Sequence, residues 1–286
     1  MEMRWTRSER GRTYYWISKN DRDSGRALVF LHGLTADHRM FAKQTEAFSP
    51  EYTVIAWDAP AHGKSRPYRD FTYAHLAAEL SQILTAETIR KVVLIGQSMG
   101  GFAAQSFMTA HPDMVEGFVS IDSCPYGTVY YSKADFFWLK QIKWMARCYP
   151  DRLLRSAMAK LCGITAAART NMRTMLKCYT KAELCNLMHL GFAGFIPEVH
   201  DLKIPCPVCL LLGEYDRTGK VRQYNEHWHR RENYPLRIIK NAAHNANEDN
   251  PAEVNAIIKG FLREIGWESL VCNSTGSTGG KIDWHS

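Results

Sequence analysis

The sequence predicts an α/β fold, a doubly wound and mostly parallel sheet with an inserted all-helical lid. Buried-strand patterns alternate with helical patterns over residues 14–122 and again over residues 207–265. Residues 124–200 break this alternation and show only helical spacing of apolar side chains. We therefore expect a core of residues 1–123 and 201–265, a helical lid of residues 124–200, and a flexible, Gly/Ser-rich tail of residues 266–286.

The core elements follow one another in a regular order. The expected helix over residues 73–87 places Leu76, Leu80 and Ile83 on one face, and Pro251 suits the first turn of the last helix. We expect strands over residues 14–18, 27–32, 53–58, 91–95, 117–121, 207–213 and 236–240, and helices over residues 73–87, 102–110 and 251–265.

The lid segment is expected to form four short amphipathic helices. Thr180 and Glu183 have the spacing of a capping box, which predicts the start of the fourth helix, and Gly163 is expected to end the second. The apolar faces are, in order, Ala134, Phe137, Trp138, Ile142 and Met145; Leu153, Leu154, Ala157, Met158 and Leu161; Met172, Met175, Leu176 and Tyr179; and Leu184, Leu187 and Met188.

Composition fits a globular protein without metal or disulfides. The 286 residues are 45% hydrophobic and 23% charged, and no run approaches the ~20 apolar residues of a membrane span. The first residues lack the apolar run of a signal peptide, so we expect a cytoplasmic protein whose eight cysteines are free thiols. Cys206 and Cys209 have redox-motif spacing but lie at the entry to a core strand without a second pair. We therefore expect no metal and no cofactor.

A nucleophile elbow is the strongest chemical signal. Gly96-Gln97-Ser98-Met99-Gly100 stands between the strand of residues 91–95 and the helical pattern of residues 102–110. Glycines are needed on both sides of such a turn because it is too sharp and crowded for side chains there. The sequence therefore predicts that the Ser98 hydroxyl is exposed as a nucleophile.

A base and an acid follow Ser98 in the order that an elbow requires, serine, then acid, then histidine. Asp216 comes just after the strand of residues 207–213, and His244 comes just after the strand of residues 236–240. We expect His244 to take the proton of Ser98 and Asp216 to orient the imidazole ring. Glu214 and Asp122 remain alternatives for the acid, and Asp122 is expected to be a helix cap or a turn residue.

An oxyanion hole is expected from backbone N–H groups beside the elbow. One donor is the N–H of Met99, and the other is the N–H of Leu34, which follows the His32-Gly33 turn after an early strand. We interpret His32 as a residue that packs this loop, because His244 already fills the role of base.

These motifs together resemble the α/β-hydrolase superfamily, in the serine branch that carries a helical lid. The matching residues are His32-Gly33, Asp58-Ala59-Pro60-Ala61-His62-Gly63-Lys64-Ser65, Gly96 to Gly101, Gly213 to Asp216, and His244. Ala61 stands where the family usually has glycine. The resemblance covers roughly residues 13–265 and implies the fold, whereas fold alone does not fix the substrate. Ser98 excludes the relatives with aspartate at the elbow, haloalkane dehalogenases and epoxide hydrolases.

The resemblance implies an esterase-like hydrolase that cleaves a carboxylic ester, thioester or lactone through an acyl-enzyme. Three alternatives stay open: a carbon–carbon bond hydrolase of a vinylogous diketone, an acyltransferase, and a slow-turnover ligand receptor. The lid residues Phe137, Trp138 and Met145 are expected to contact the substrate, a small acyl compound of anionic or apolar, aromatic character.

The lid also carries an excess of positive charge. Residues 124–200 contain 11 Lys and Arg against 4 Asp and Glu, which gives +7, and the whole chain (36 against 29) also sums to +7. These charges form either solvated helix faces or a surface that attracts an anionic substrate or an acidic membrane. No nucleic-acid motif accompanies them, so nucleic acid is not an expected partner.

Overall fold

One eight-stranded sheet organises the protein, whose computed structural model describes residues 1–20, 25–198 and 201–267. The strands are β1 (Glu2–Arg7), β2 (Arg12–Ser18), β3 (Arg26–Leu31), β4 (Val54–Trp57), β5 (Lys91–Gln97), β6 (Val115–Ile121), β7 (Val208–Gly213) and β8 (Leu236–Ile239). Their spatial order is β1-β2-β4-β3-β5-β6-β7-β8. The strands from β4 to β8 pair in parallel, and β1 and β2 are antiparallel at one edge. The predicted mostly parallel sheet is confirmed.

Helices cover both faces of this sheet. They are α1 (Ala42–Phe48), α2 (Tyr73–Ala86), α3 (Met99–Ala110), α4 (Lys133–Cys148), α5 (Asp151–Cys162), α6 (Ala166–Leu176), α7 (Lys181–Ala193), α8 (Val221–Glu232), α9 (Ala246–Asp249) and α10 (Pro251–Glu264). Along β5, Val92 and Leu94 pack into the core shared with α2, α3 and α8, whereas Val93 and Ile95 pack into the core shared with α1 and α10. Alternate side chains of a strand point to opposite faces, so this split is what a doubly wound sheet requires.

The helical insertion, α4 to α7, lies between β6 and β7 in the chain, and it contains the four helices that the sequence predicts. The third, α6, ends at Leu176, so Tyr179 lies beyond the helix in which it was expected. The capping box of Thr180 and Glu183 is present at the start of α7. A second one, formed by Ser132 and Asp135, begins α4. Each box satisfies N–H groups that the first turn of a helix leaves unpaired, which fixes where these helices begin.

The loop between α5 and α6 ties the insertion to the loop that follows β8. The backbone N–H of Asn245 donates to the Cys162 carbonyl at 2.6 Å. The Asp249 carboxylate accepts from the N–H groups of Ile164, Thr165 and Ala243 at 2.8–3.1 Å. The insertion is therefore held against the residues on either side of His244.

Some features differ from the sequence-based expectations or lie beyond them. Strand β1 was not expected, and its Met3 and Trp5 side chains are 45% and 48% exposed. Trp267, which we expected in the flexible tail, is buried, and its indole N–H donates to Glu116 at 2.7 Å. The rest of the expected tail, residues 268–286, lies outside the described residues, as do residues 21–24 and 199–200. Within the described part of the chain, no helix is long and apolar enough to cross a membrane.

Candidate active site

Ser98 stands in the sharp turn between β5 and α3, with backbone angles of φ 50° and ψ −115°. A non-glycine residue at positive φ is strained and persists only where its surroundings impose the conformation. The lack of space next to the turn explains why residues 96 and 100 are glycines. A Cβ on Gly100 would overlap the carbonyl oxygen of Leu31, and a Cβ on Gly96 would lie 2.6 Å from that of Gly100. The predicted elbow is therefore present in its strained form.

The side chains of Ser98, His244 and Asp216 form a continuous hydrogen-bonded chain. The Ser98 Oγ atom lies 2.9 Å from Nε2 of His244, and Nδ1 of His244 lies 2.9 Å from Oδ2 of Asp216. A carboxylate only accepts, so Nδ1 carries the proton and Nε2 is left to accept from the serine hydroxyl. The structure thus brings the three predicted residues together, with His244 and Asp216 buried.

Asp216 is held in its ionised form by its surroundings. Burial alone would raise the pKa of this carboxyl, but the charge and hydrogen bond of His244 and the N–H of Thr218, 2.8 Å from Oδ1, bring the pKa below its usual value. An ionised carboxylate at this place fixes the orientation and the tautomer of the imidazole ring.

Neither alternative acid is hydrogen-bonded to His244. Asp122 is fully buried at a turn with φ 47°, and its two oxygens accept from the backbone N–H groups of Gly213 and Ala246 at 2.7 and 3.2 Å. Burial, with the nearby Asp216 charge, raises the pKa of Asp122 well above its usual range. Glu214 turns to the surface and accepts from the N–H of Asn241. Asp122 therefore links the end of β7, which precedes Asp216, to the segment that follows His244.

The turn expected to supply the second oxyanion donor lies directly against the nucleophile. A Cβ on Gly33 would overlap Oε1 of Gln97 and would lie 3.3 Å from Cβ of Ser98. Leu34 follows this turn and lines a small cavity of about 120 Å³ together with Ser98 and His244. Met99, the other expected donor, is the first residue of α3, where backbone N–H groups have no partner within the helix.

His32 contributes to the loop and not to a proton relay. Its Nε2 accepts from the N–H of Ala59 at 2.9 Å, and its Nδ1 lies 2.7 Å from the Gly33 carbonyl oxygen. Burial lowers the pKa of His32, so the neutral ring is favoured and links two loops. This agrees with its interpretation as a loop-packing residue.

Gln97 is a residue of the site that the sequence reasoning missed. Its side chain is buried, and Nε2 donates to the backbone carbonyl of His244 at 2.7 Å. It therefore links the elbow to the main chain of the base. Its position beside Ser98 was the available signal, but nothing in the sequence indicated its partner, 147 residues further along the chain.

A cavity of about 440 Å³ opens above Ser98 and His244 and is bounded mostly by apolar side chains of the insertion. Of the three lid residues expected to contact substrate, Met145 lines this cavity, whereas Phe137 and Trp138 do not. These two rings are 57% and 59% exposed and pack edge to face against each other at 5.4 Å. The expectation that Phe137 and Trp138 contact the substrate is therefore wrong in this structure, because their part of the apolar face of α4 is turned to solvent.

One group of possible metal ligands lies apart from the triad among the described residues, formed by Asp37, His38 and Asp58. Its carboxylates are already engaged. Asp58 accepts from the N–H and the ring of His38 at 2.9 and 2.7 Å, and Asp37 pairs with the Arg39 guanidinium at 2.6 Å. The group therefore braces the loop after β3 to the end of β4.

Comparison with known proteins agrees with this architecture. The model of a family described as "Alpha/beta hydrolase family" matches residues 28–257. A Mus musculus protein named sn-1-specific diacylglycerol lipase ABHD11 is 27% identical over 252 residues, which is 82% of this chain and 80% of the relative. A putative esterase/lipase of Haemophilus influenzae is 33% identical over 98 residues, 34% of each chain. Several curated relatives are thus matched over about a third of their own length.

Solved structures share the fold at low identity. A thermophilic esterase from Thermogutta terrifontis superposes with a TM-score of 0.73 at 20% identity, covering 93% of this chain and 99% of that one. A bromoperoxidase from Bacillus anthracis also gives 0.73, at 21% identity, covering 88% of this chain and 96% of that one. Sequence and structure comparisons therefore point to the same fold family.

Proposed function

This chain belongs to the alpha/beta hydrolase family, and we propose that it is a hydrolase that cleaves a carboxylic ester, thioester or lactone through an acyl-enzyme on Ser98. The observation that carries the proposal is the hydrogen-bonded chain from Ser98 through His244 to Asp216, with 2.9 Å between each pair of atoms, at a cavity lined mostly by apolar side chains. An activated nucleophile needs this arrangement of hydroxyl, base and orienting group.

In the proposed acylation step, Ser98 Oγ attacks the substrate carbonyl carbon while Nε2 of His244 takes the hydroxyl proton. The carbonyl oxygen becomes an oxyanion, for which the N–H groups of Leu34 and Met99 are the proposed donors. The imidazolium is stabilised by Asp216. As the intermediate collapses, His244 gives the proton to the leaving alcohol, thiol or lactone oxygen, and the acyl group stays on Ser98.

Deacylation repeats these roles with water. His244 takes a proton from a water molecule, which attacks the acyl-enzyme carbonyl. The second oxyanion occupies the same place, and the proton then passes from His244 to Ser98 Oγ as the acid is released. Overall, one ester and one water give one acid and one alcohol, a thioester gives an acid and a thiol, and a lactone gives one hydroxy acid. Water is the one co-reactant.

The shape and chemistry of the cavity support an apolar acyl group. Its volume of about 440 Å³ lies in the range of small-molecule sites. Its walls include Phe102, Leu139, Ile142, Met158 and Phe195. Relatives named as a diacylglycerol lipase and a 3-oxoadipate enol-lactonase fit an ester or lactone substrate. The helical insertion, in this proposal, is the lid that encloses the acyl chain.

A panel of p-nitrophenyl esters of increasing acyl length, measured beside a ring-cleavage diketone, tests this proposal. The expected result is steady turnover of esters, and none by Ser98→Ala. Cleavage of the diketone but not of the esters would assign carbon–carbon bond hydrolysis instead. Product that forms only in transfer to an added alcohol would assign an acyltransferase, and a single burst without turnover would assign a receptor.

A further inference from the structure

The exposed face of α4 and α5 has more apolar surface than a solvated pair of helices needs. Among the described residues, thirteen large apolar side chains are exposed, and seven of them lie within residues 137–161. We call these seven the apolar face: Phe137, Trp138, Trp144, Met145, Tyr149, Leu153 and Leu161. Single exposed apolar residues are ordinary, whereas a contiguous group marks an interaction site.

Helix geometry arranges part of this face beside a line of cations. Residues seven apart differ by only about 20° around a helix. Lys133, Lys140 and Arg147 therefore form one line along α4, here called the basic stripe, and Phe137 and Trp144 form a second. The two lines are neighbours, because Lys140 is three residues after Phe137 and four before Trp144.

The charge of the basic stripe is not neutralised by acids on its own helices. The acidic side chains of α4 and α5 are Asp135 and Asp151. Asp135 pairs with Lys220 at 2.6 Å, and Asp151 pairs with Arg155 at 2.9 Å. Within the described part of the chain, the three cations of the stripe form no ion pair, and all three are exposed. Lys143 is not in the stripe, because it turns to α7 and donates to Asn186.

The apolar face is continuous with the cavity above Ser98. Met145, Tyr149 and Leu161 are 40%, 54% and 45% exposed, and all three also line the cavity. Along α5, Leu161 and Ala157 both line the cavity, and Leu153 extends this side of the helix outward at a spacing of four residues. A hydrocarbon chain can therefore pass from the surface into the cavity along apolar contacts.

We propose that the apolar face and the basic stripe dock on an anionic lipid surface, from which the ester chain enters the cavity between α4 and α5. This rests on the proposed function and names the source of its substrate. Tryptophan and phenylalanine insert into the boundary region of a bilayer, and each nearby cation adds attraction to anionic headgroups. A second copy of the chain fits less well, because pairing of like faces brings two basic stripes together.

Flotation with lipid vesicles tests the docking without hydrolysis if every protein carries Ser98→Ala. The probes are vesicles of phosphatidylcholine alone and of an equal mixture with phosphatidylglycerol. We expect binding to the mixed vesicles, and weaker binding as salt rises from about 0.1 to about 1 M, which shortens the Debye length from ~10 to ~3 Å. Lys133→Gln, Lys140→Gln and Arg147→Gln together should weaken binding by about 100-fold.

Matched control variants distinguish binding through this surface from nonspecific electrostatic or hydrophobic binding. Lys43→Gln, Arg230→Gln and Lys240→Gln remove the same charge elsewhere on the surface and should leave binding unchanged. Trp144→Ser with Leu153→Ser should abolish binding, whereas Met3→Ser with Trp5→Ser should not. Circular dichroism melting confirms that each variant is folded.

Activity separates this inference from the proposed function. With Ser98 restored, Trp144→Ser and Leu153→Ser should keep the wild-type kcat/KM for a soluble short-chain ester, because neither side chain lines the cavity. The same variant should lose hydrolysis of a long-chain ester embedded in mixed vesicles. If the wild type did not hydrolyse the soluble ester, this would count against the proposed function but would not affect the result of the vesicle-binding experiment.

The docking inference is overturned if the Ser98→Ala protein without further substitutions does not float with mixed vesicles, or if the control charge variant loses as much binding as the stripe variant. It is also overturned if sedimentation shows a dimer that Trp144→Ser dissociates while vesicles do not bind, because a second copy then covers this face.

Discussion

Oδ2 of Asp216 lies 2.9 Å from Nδ1 of His244, whereas Asp122, the acid that follows the neighbouring strand, is hydrogen-bonded to backbone N–H groups. The two acids follow β7 and β6, so strand order alone leaves both available. The structure gives them different partners. Asp216 contacts the imidazole, and Asp122 accepts the N–H groups of Gly213 and Ala246. Different roles follow from this difference in partners.

Replacing Asp216 with asparagine should reduce kcat by roughly 10⁴-fold while the protein stays folded. An amide at this place favours the wrong tautomer of His244, and the same change in a comparable triad has that effect. Steady-state kinetics on a soluble ester, with circular dichroism as the folding control, measure it.

Asp122→Asn is the matched control for that change. It should keep most of kcat and instead lower the free energy of unfolding by about 1–3 kcal/mol, because one buried N–H loses its acceptor. Urea denaturation measures this loss. If Asp122→Asn removed activity while Asp216→Asn kept it, the acid would belong to the earlier strand.

Ser98→Ala and His244→Ala should not add in their effects. The hydroxyl is reactive only through the imidazole, so each single variant should lose most of the turnover and the double variant should be scarcely worse. Comparison of kcat for the three proteins measures this. Losses that multiply in the double variant would show that the two residues act independently.

Gln97→Leu should lower kcat more than it raises KM. The lost donor leaves the His244 carbonyl without its 2.7 Å partner and lets the base shift, and misplacement by about 1 Å can cost 10²-fold in rate. Gln105 is an equally buried glutamine that donates to the Cys124 carbonyl instead. Gln105→Leu should therefore reduce stability and spare kcat, and equal kcat losses in both variants would remove the specific role of Gln97.

Glu248 should make stability depend on pH. Its carboxylate accepts from Asn171 on α6 and from Asn245, the residue after His244, at 2.9 and 2.8 Å. Burial raises the pKa of Glu248 to about 7, despite the opposing effect of the two amides. Because the pKa of Glu248 is higher in the folded than in the unfolded protein, protonation of Glu248 favours the folded state. This contribution to the free energy of unfolding is complete below about pH 4.5 and is lost as the pH rises through about 7.

The measurement for Glu248 is urea denaturation of the wild type and Glu248→Gln at pH 5 and pH 8. Relative to the variant, the wild type should lose on the order of 3 kcal/mol of unfolding free energy over this range, because a shift of one pKa unit corresponds to about 1.36 kcal/mol. Parallel pH dependences of the two proteins would show that Glu248 titrates normally.

The parts of the site that the sequence predicted are those tied to strand ends. Ser98 follows β5, Asp216 follows β7 and His244 follows β8, and the carboxyl ends of parallel strands meet at one edge of a sheet. Turn chemistry also predicted the elbow, because only glycine fits at Gly96 and Gly100. Local sequence was sufficient to predict a site residue wherever it placed that residue at the carboxyl end of a strand.

Features that depend on distant partners were not predictable. The acceptor of Gln97 and the donors to Asp122 come from segments 91 to 147 residues away, and no local pattern specifies them. The apolar spacing of α4 predicted a helix correctly, but periodicity does not tell which side the fold covers. The pattern therefore did not show that Phe137 and Trp138 lie on the surface while Met145 lies at the cavity.

Reaction with a fluorophosphonate probe, followed by peptide mapping, tests the central claim most directly. Such a probe labels an activated serine beside an oxyanion hole, so we expect one adduct, on Ser98, that is lost in His244→Ala and after unfolding. An adduct on another residue, or no adduct in the folded protein, would contradict the assignment of Ser98 as the nucleophile.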